Sequence, residues 1–180
     1  MLNTIFKKKL SDQQLANVFV NGVLEVIDKG FDEVMALIQE DPAFVTPPPL
    51  TNASDGHFTM IVIVGNMSYL SDSFDPEKSA RLEQLVKEKF AEVFDMEVET
   101  FKDYLKEYKG FISRANHPSK NMLYGMSKAV FHKYKLNNYQ DDYFKKLTCP
   151  NPLFLKRMDE VMENFIWNWE AFFKRYKMIS

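Results

Sequence analysis

The stretch NPLFLKRMDEVMENFIWNWEAFFKRYK, residues 151–177, decides the fold class. Phe154, Met158, Val161, Phe165, Trp169, Phe172 and Tyr176 recur three and four residues apart, with Leu155, Met162, Ile166 and Phe173 widening the stripe. That spacing predicts a helix with a broad buried face. Glu163, Asn164, Asn168, Glu170, Lys174 and Arg175 supply the polar positions, and Trp167 is an apolar residue among them. Each ring returns its hydrophobic free energy only when other side chains enclose it, so such a face needs several partner elements. One long C-terminal helix, enclosed by earlier helices, is therefore expected.

Most other segments carry the same period. Ser11, with Gln14 three residues on, has the form of a capping box and opens a helix through Leu15, Val18, Phe19, Gly22, Val23, Val26 and Ile27. That helix is expected to end at Lys29 and Gly30, and a short second one, capped by Asp32 and carrying Val34, Met35, Leu37 and Ile38, is expected to end at Asp41 and Pro42. Residues 42–56 hold Pro47, Pro48 and Pro49 and read as a stiff connecting loop. Phe58–Val64 is ambiguous. Thr59, Ile61, Val62, Ile63 and Val64 favour a strand, whereas Phe58, Ile61, Val62, Gly65 and Tyr69 repeat helically. A lone strand has no evident pairing partner and would bury unmatched backbone, so a buried helix is expected.

Asp75 and Pro76 form an N-cap and first position for a helix carrying Leu82, Leu85, Val86, Phe90, Val93 and Phe94. A further helix covers Phe101 to Ile112, and another runs from Met122 to Tyr134, separated by Asn116, His117, Pro118 and Ser119. Tyr143, Phe144 and Leu147 allow one short turn. The sum is an all-α, single-domain, irregular bundle of six or seven helices over residues 1–180, with no fixed-length repeat. Residues 1–10 form a basic lead-in, in which Leu2, Ile5 and Phe6 suggest a small amphipathic turn.

Sixteen Phe and ten Met against six Gly imply a bulky core; a groove for a partner helix or an acyl chain is the sharper alternative. The net charge is -2, but residues 1–100 hold eight Lys or Arg against seventeen Asp or Glu, and residues 101–180 hold fifteen against eight. That asymmetry predicts either a dipolar surface or mutual docking of the two parts. Cys149 is alone, which excludes an internal disulfide and a cysteine metal cluster. No apolar run follows Lys7, Lys8 and Lys9 as in a secretory signal, and no segment approaches the length of a membrane span, so a cytoplasmic location is expected.

Chemistry is sparsely encoded. His57, His117 and His132 are isolated, with no His-Glu-x-x-His or Glu-x-x-His pattern, so no metal site is expected; no cofactor signature is present either. Two polar groups are ligand-binding candidates. His57 and Asp72 bracket the apolar 58–64 segment with Asn52, Asp55, Asn66 and Ser68, and converge only if the chain turns back. Arg114, His117 and Lys120 precede a helix start and could receive an anion, although a glycine-rich phosphate loop is absent. Capping is the plainer role for both groups. Eight Lys or Arg between Lys102 and Lys135 interleave with Tyr104, Tyr108, Phe111, Tyr124 and Tyr134, but Asp103 and Glu107 dilute the field, and nucleic acid is not favoured.

The expected function is therefore that of a non-enzymatic helical interaction or regulatory protein. Trp167 and the Pro47, Pro48 and Pro49 loop are its interaction candidates, with a protein partner or a homodimer as the occupant. The alternative is a small-molecule-binding protein or enzyme with an interhelical pocket near His57 and Asp72. No catalytic residue is assigned.

Overall fold

The structure, a computed structural model, describes residues 7–179. The proposed turn at Leu2, Ile5 and Phe6 lies outside them. From Lys7 the chain enters a short strand β1 (Lys8–Leu10) and then α1 (Asp12–Gln39). The Ser11 hydroxyl accepts from Gln14 N–H while the Gln14 side chain accepts from Ser11 N–H, so the expected capping box is formed. Contrary to expectation, α1 does not stop at Gly30. Ile27, Phe31, Val34, Met35 and Ile38 continue one buried face through it, which outweighs the roughly 1 kcal/mol that an interior glycine costs. Gly30 has a packing role instead: a Cβ there would sit 2.8 Å from the Phe165 ring.

The proline-bearing connection is docked. Pro48 and Leu50 are buried, Val45 N–H donates to the Tyr139 carbonyl at 2.8 Å, and Phe44 meets Phe154 edge-on at 5.0 Å. It leads into α2 (Gly56–Ser73), which includes the ambiguous segment and is helical throughout. Phe58, Ile61, Val62, Ile63 and Leu70 are all fully enclosed. A helix that is apolar on every side belongs at the centre of a bundle, and α2 is contacted by α1, α3 (Pro76–Val93), α4 (Val98–Asn116) and α5 (Met122–Lys133). Its β-branched residues are tolerated because burial on all faces offsets their modest helix penalty.

After α5 come a 3₁₀ turn (Leu136–Tyr139), α6 (Asp142–Leu147), α7 (Pro152–Glu163), α8 (Trp169–Arg175) and β2 (Tyr176–Met178). There are thus eight α-helices among the described residues, and the long C-terminal helix is not one of them. The predicted rod breaks at residues 164–168. Asn164 ends α7, and the Asn168 side chain accepts from Ala171 N–H at 2.8 Å to start α8. The break is held by Asn66 of α2, which is fully buried. Its amide donates to the Val62 and Phe165 carbonyls at 2.9 and 2.8 Å, and its oxygen accepts from Trp167 N–H at 2.7 Å. Backbone groups freed by the interruption are thereby satisfied inside the protein.

β2 then runs parallel to β1, pairing Tyr176 with Lys8, Lys9 with Lys177 and Leu10 with Met178. The lead-in is thus partly a strand, a two-stranded exception in an otherwise helical fold. One hydrophobic cluster extends from Leu10 through α2 to Phe172. A second tie crosses from α7 to the end of α1, where Arg157 donates two hydrogen bonds of 2.7 Å to the Asp41 carboxylate. This pair joins the acidic first part of the chain to the basic second part. Asp41 is nearly enclosed, so the paired geometry is stronger than that of an exposed ion pair.

Candidate functional site

His57 lies in the first turn of α2 and Asp72 in its last. Fifteen steps of helical rise separate them by roughly 22 Å, so the expected joint pocket is not formed. What gathers around His57 comes from α4 and α5. Its Nδ1 is 2.6 Å from the Tyr108 hydroxyl of α4, and its ring is edge-on to Tyr134, just beyond α5, at 6.0 Å. Tyr134 does not face a ligand but fixes the backbone. Its hydroxyl donates to the Ser54 carbonyl at 2.7 Å and accepts from Phe58 N–H at 3.2 Å. The α2 N-cap, Asp55, makes no side-chain capping bond, so Tyr134 supplies the acceptor that a helix start otherwise takes from its cap residue.

Beside this pair lies a hollow of about 430 Å³ between the start of α2, the α3–α4 turn and α4. Met60, Phe94, Met96, Phe101 and Tyr104 form its apolar and aromatic wall; Ser54, Asp55, His57 and Tyr108 stand at its polar side. The sequence placed Phe101, Tyr104 and Tyr108 on one helical face. Tyr108 is buried, whereas Tyr104 stands 45 % exposed at the mouth.

Burial and nearby charge shift the titrating groups around His57. Partial burial, and then the Lys133 ammonium, push the His57 pKa below the ordinary histidine value against the opposing influence of Glu107. Burial raises Tyr108, with Glu107 and Tyr104 adding to it. Tyr134 is pushed up to about 12, mainly by burial, and the bond from Phe58 opposes the rise. Lys133 rests over the Tyr108 and Phe111 rings at 4.7 and 4.4 Å. At neutral pH the imidazole is therefore uncharged and both phenols are protonated.

The other candidates are spread apart. Arg114 is in the last turn of α4, His117 is its C-cap and Lys120 lies in the connection to α5; all three are exposed. Among the described residues no hydrogen bond or ion pair joins their side chains. Their neighbours are caps: Asn121 accepts from Tyr124 N–H at 3.2 Å, and Asn116 donates to the Asn121 carbonyl at 2.7 Å. Trp167 is half-buried and lies against α1, where a Cβ on Gly22 would come within 2.1 Å of the indole. Pro47 and Pro49 are exposed, and Pro48 is buried. Among the described residues no three His, Cys, Asp or Glu side chains gather as metal ligands would, and no helix is long and apolar enough to cross a membrane.

The fold and site define a mostly helical protein with a half-open aromatic hollow at the N-terminal end of its central helix. Comparison with protein-family models, with curated proteins and with solved structures gave no match.

Proposed function

We propose that this chain is a binding protein that takes a small aromatic molecule bearing a hydrogen-bond acceptor into the hollow beside His57. The supporting observation is the combination of a ring- and methionine-walled cavity with a few polar groups at its edge, His57 and Tyr108 among them, the usual composition of a small-molecule site. With Nδ1 unprotonated, the Tyr108 hydroxyl donates to it, leaving Nε2–H as the donor offered to a ligand. Phe94 and Tyr104 offer ring contacts, each worth about 0.5–1.5 kcal/mol beyond area burial.

Binding is favoured over turnover. Tyr108 already engages Nδ1, and Asp72 is too far away to orient the ring. A cytoplasmic setting belongs to the same reading. The test is methyl NMR of the full chain with phenol, indole and quinoline. Saturable shifts of the Met60 and Met96 methyls, abolished in Met96→Trp, are expected; no shift at either methyl with any of the three contradicts the reading.

A protein partner or a second copy is the second reading, favoured by the exposure of Val45, at 71 %, beside exposed Pro47. A monomeric mass in solution at every accessible concentration would remove the homodimer.

A further inference from the structure

A different groove, of about 340 Å³, lies between α2, α3, α4 and the first turn of α5. Its floor is Val64, Met67, Leu105 and Met122, and its rim is basic. Lys102, Lys106 and Lys109 fall four and three residues apart, which places them along one side of α4, and Lys87 faces them from α3. Glu83 is the carboxylate in this lining. It is engaged from within the protein, by the Ser71 hydroxyl and by Lys87 at 3.3 Å. Lys102 pairs at 2.8 Å with Glu99, whose side chain is 82 % exposed, so water screens that contact. Lys106 and Lys109 are exposed and enter no ion pair among the described residues. In a chain of net charge -2, this concentrates positive charge around an apolar hollow.

We propose that the groove binds a single-chain amphipathic anion, its acyl chain over Met67, Leu105 and Met122 and its carboxylate or phosphate head among Lys102, Lys106 and Lys109. An inorganic anion would engage only the rim and leave the apolar floor wet. A nucleic acid would need ring faces among the lysines on which to stack bases, and among the described residues no aromatic side chain lines this groove. Ammonium groups on flexible stems accept either head group, and the thioethers of Met67 and Met122 adapt to a chain. This site is independent of the His57 hollow, which uses a neighbouring side of α4.

The test is titration of the full chain with decanoate and with decyl phosphate, each below its micelle concentration, followed at the Met67 and Met122 methyls and by calorimetry. One-to-one binding of either anion is expected. Affinity should fall about tenfold in Lys106→Glu/Lys109→Glu, a pair of exposed changes that leaves the circular dichroism intact, and about fifteenfold when the chain is shortened by two methylenes. Met122→Trp, which fills the floor, should block binding. The two anion arms tell which head group is preferred. The proposal is overturned if neither anion shifts those methyls, if the double variant binds unchanged, if decanol binds as tightly, or if inorganic phosphate competes as well as decyl phosphate. Shifts at Met60 and Met96 alone would likewise overturn it and assign the ligand to the His57 hollow.

Discussion

The central helix and the C-terminal segment differ in how their patterns were realised. Residues 58–64 carry β-branched residues that favour a strand, yet they lie within an unbroken helix. Residues 151–177 carry a near-ideal helical stripe, yet they divide into two helices and a strand. The difference lies in their surroundings. α2 is enclosed on every side and can keep its backbone satisfied there only as a helix. The C-terminal segment packs α7 against α5 and then bends over α1 and α2, where Phe165 meets Gly30 and Phe58 and Trp167 meets Gly22 and Phe19. One polar side chain, Asn66, makes the bend affordable.

The largest expected effect removes that support. Asn66→Leu keeps the branched outline of the side chain but leaves the Phe165 carbonyl and the Trp167 N–H without partners, and should cost about 2–5 kcal/mol in urea unfolding. Loss of under about 0.5 kcal/mol would show that water replaces Asn66. Next is a contrast between the two regions. Ile63→Ala, fully enclosed in α2, should cost about 3–4 kcal/mol, whereas Ile166→Ala, half-buried at the bend, should cost about 1–2. Equal losses would erase the distinction between hub and cover.

A smaller effect compares two glycines. A Cβ at Gly22 meets the rigid Trp167 indole at 2.1 Å, and one at Gly65 meets the Met126 sulfur at 2.3 Å. Gly22→Ala should cost about 1–3 kcal/mol through overpacking. Gly65→Ala should cost less, because a thioether repacks more readily. The reverse order would show that the indole, rather than the methionine, can move aside.

The smallest effect is on pH. The pKa values of His57 and His132 are both lowered by burial, helped by Lys133 and Lys128 respectively. Well above about 6.5 the rings are neutral in both folded and unfolded chains. As pH falls through that value the unfolded chain protonates first, and stability declines until the folded rings also protonate. His57→Gln should flatten part of this decline in melting curves recorded between neutral and mildly acidic pH; an unchanged slope would assign it elsewhere.

Helix content, caps and much of the core are legible in the sequence, because they follow from spacing within one segment. Ser11 with Gln14 and Asp75 with Pro76 act as read. The bend was hidden because Asn164 and Asn168 sit at positions that also suit the polar side of a continuous helix, while the group holding the bend is 99 residues from Phe165 and 101 from Trp167. Gly30 reads as a helix end for a similar reason: the ring that packs on it belongs to the distant Phe165. His57 was recognised as a polar residue worth following, but Tyr108 and Tyr134 carry no local mark of their role. They reach the start of α2 only because α4 and α5 flank it.

The most direct test of this arrangement is amide hydrogen exchange at Trp167. Its N–H lies outside every helix yet donates to a buried oxygen of α2, so it should exchange as slowly as the amides of Ile63 and Val64 and become fast in Asn66→Ala. Loop-like exchange of Trp167 in the unaltered chain, or slow exchange that survives Asn66→Ala, would contradict the central place given to α2 and its hold on the C-terminal bend.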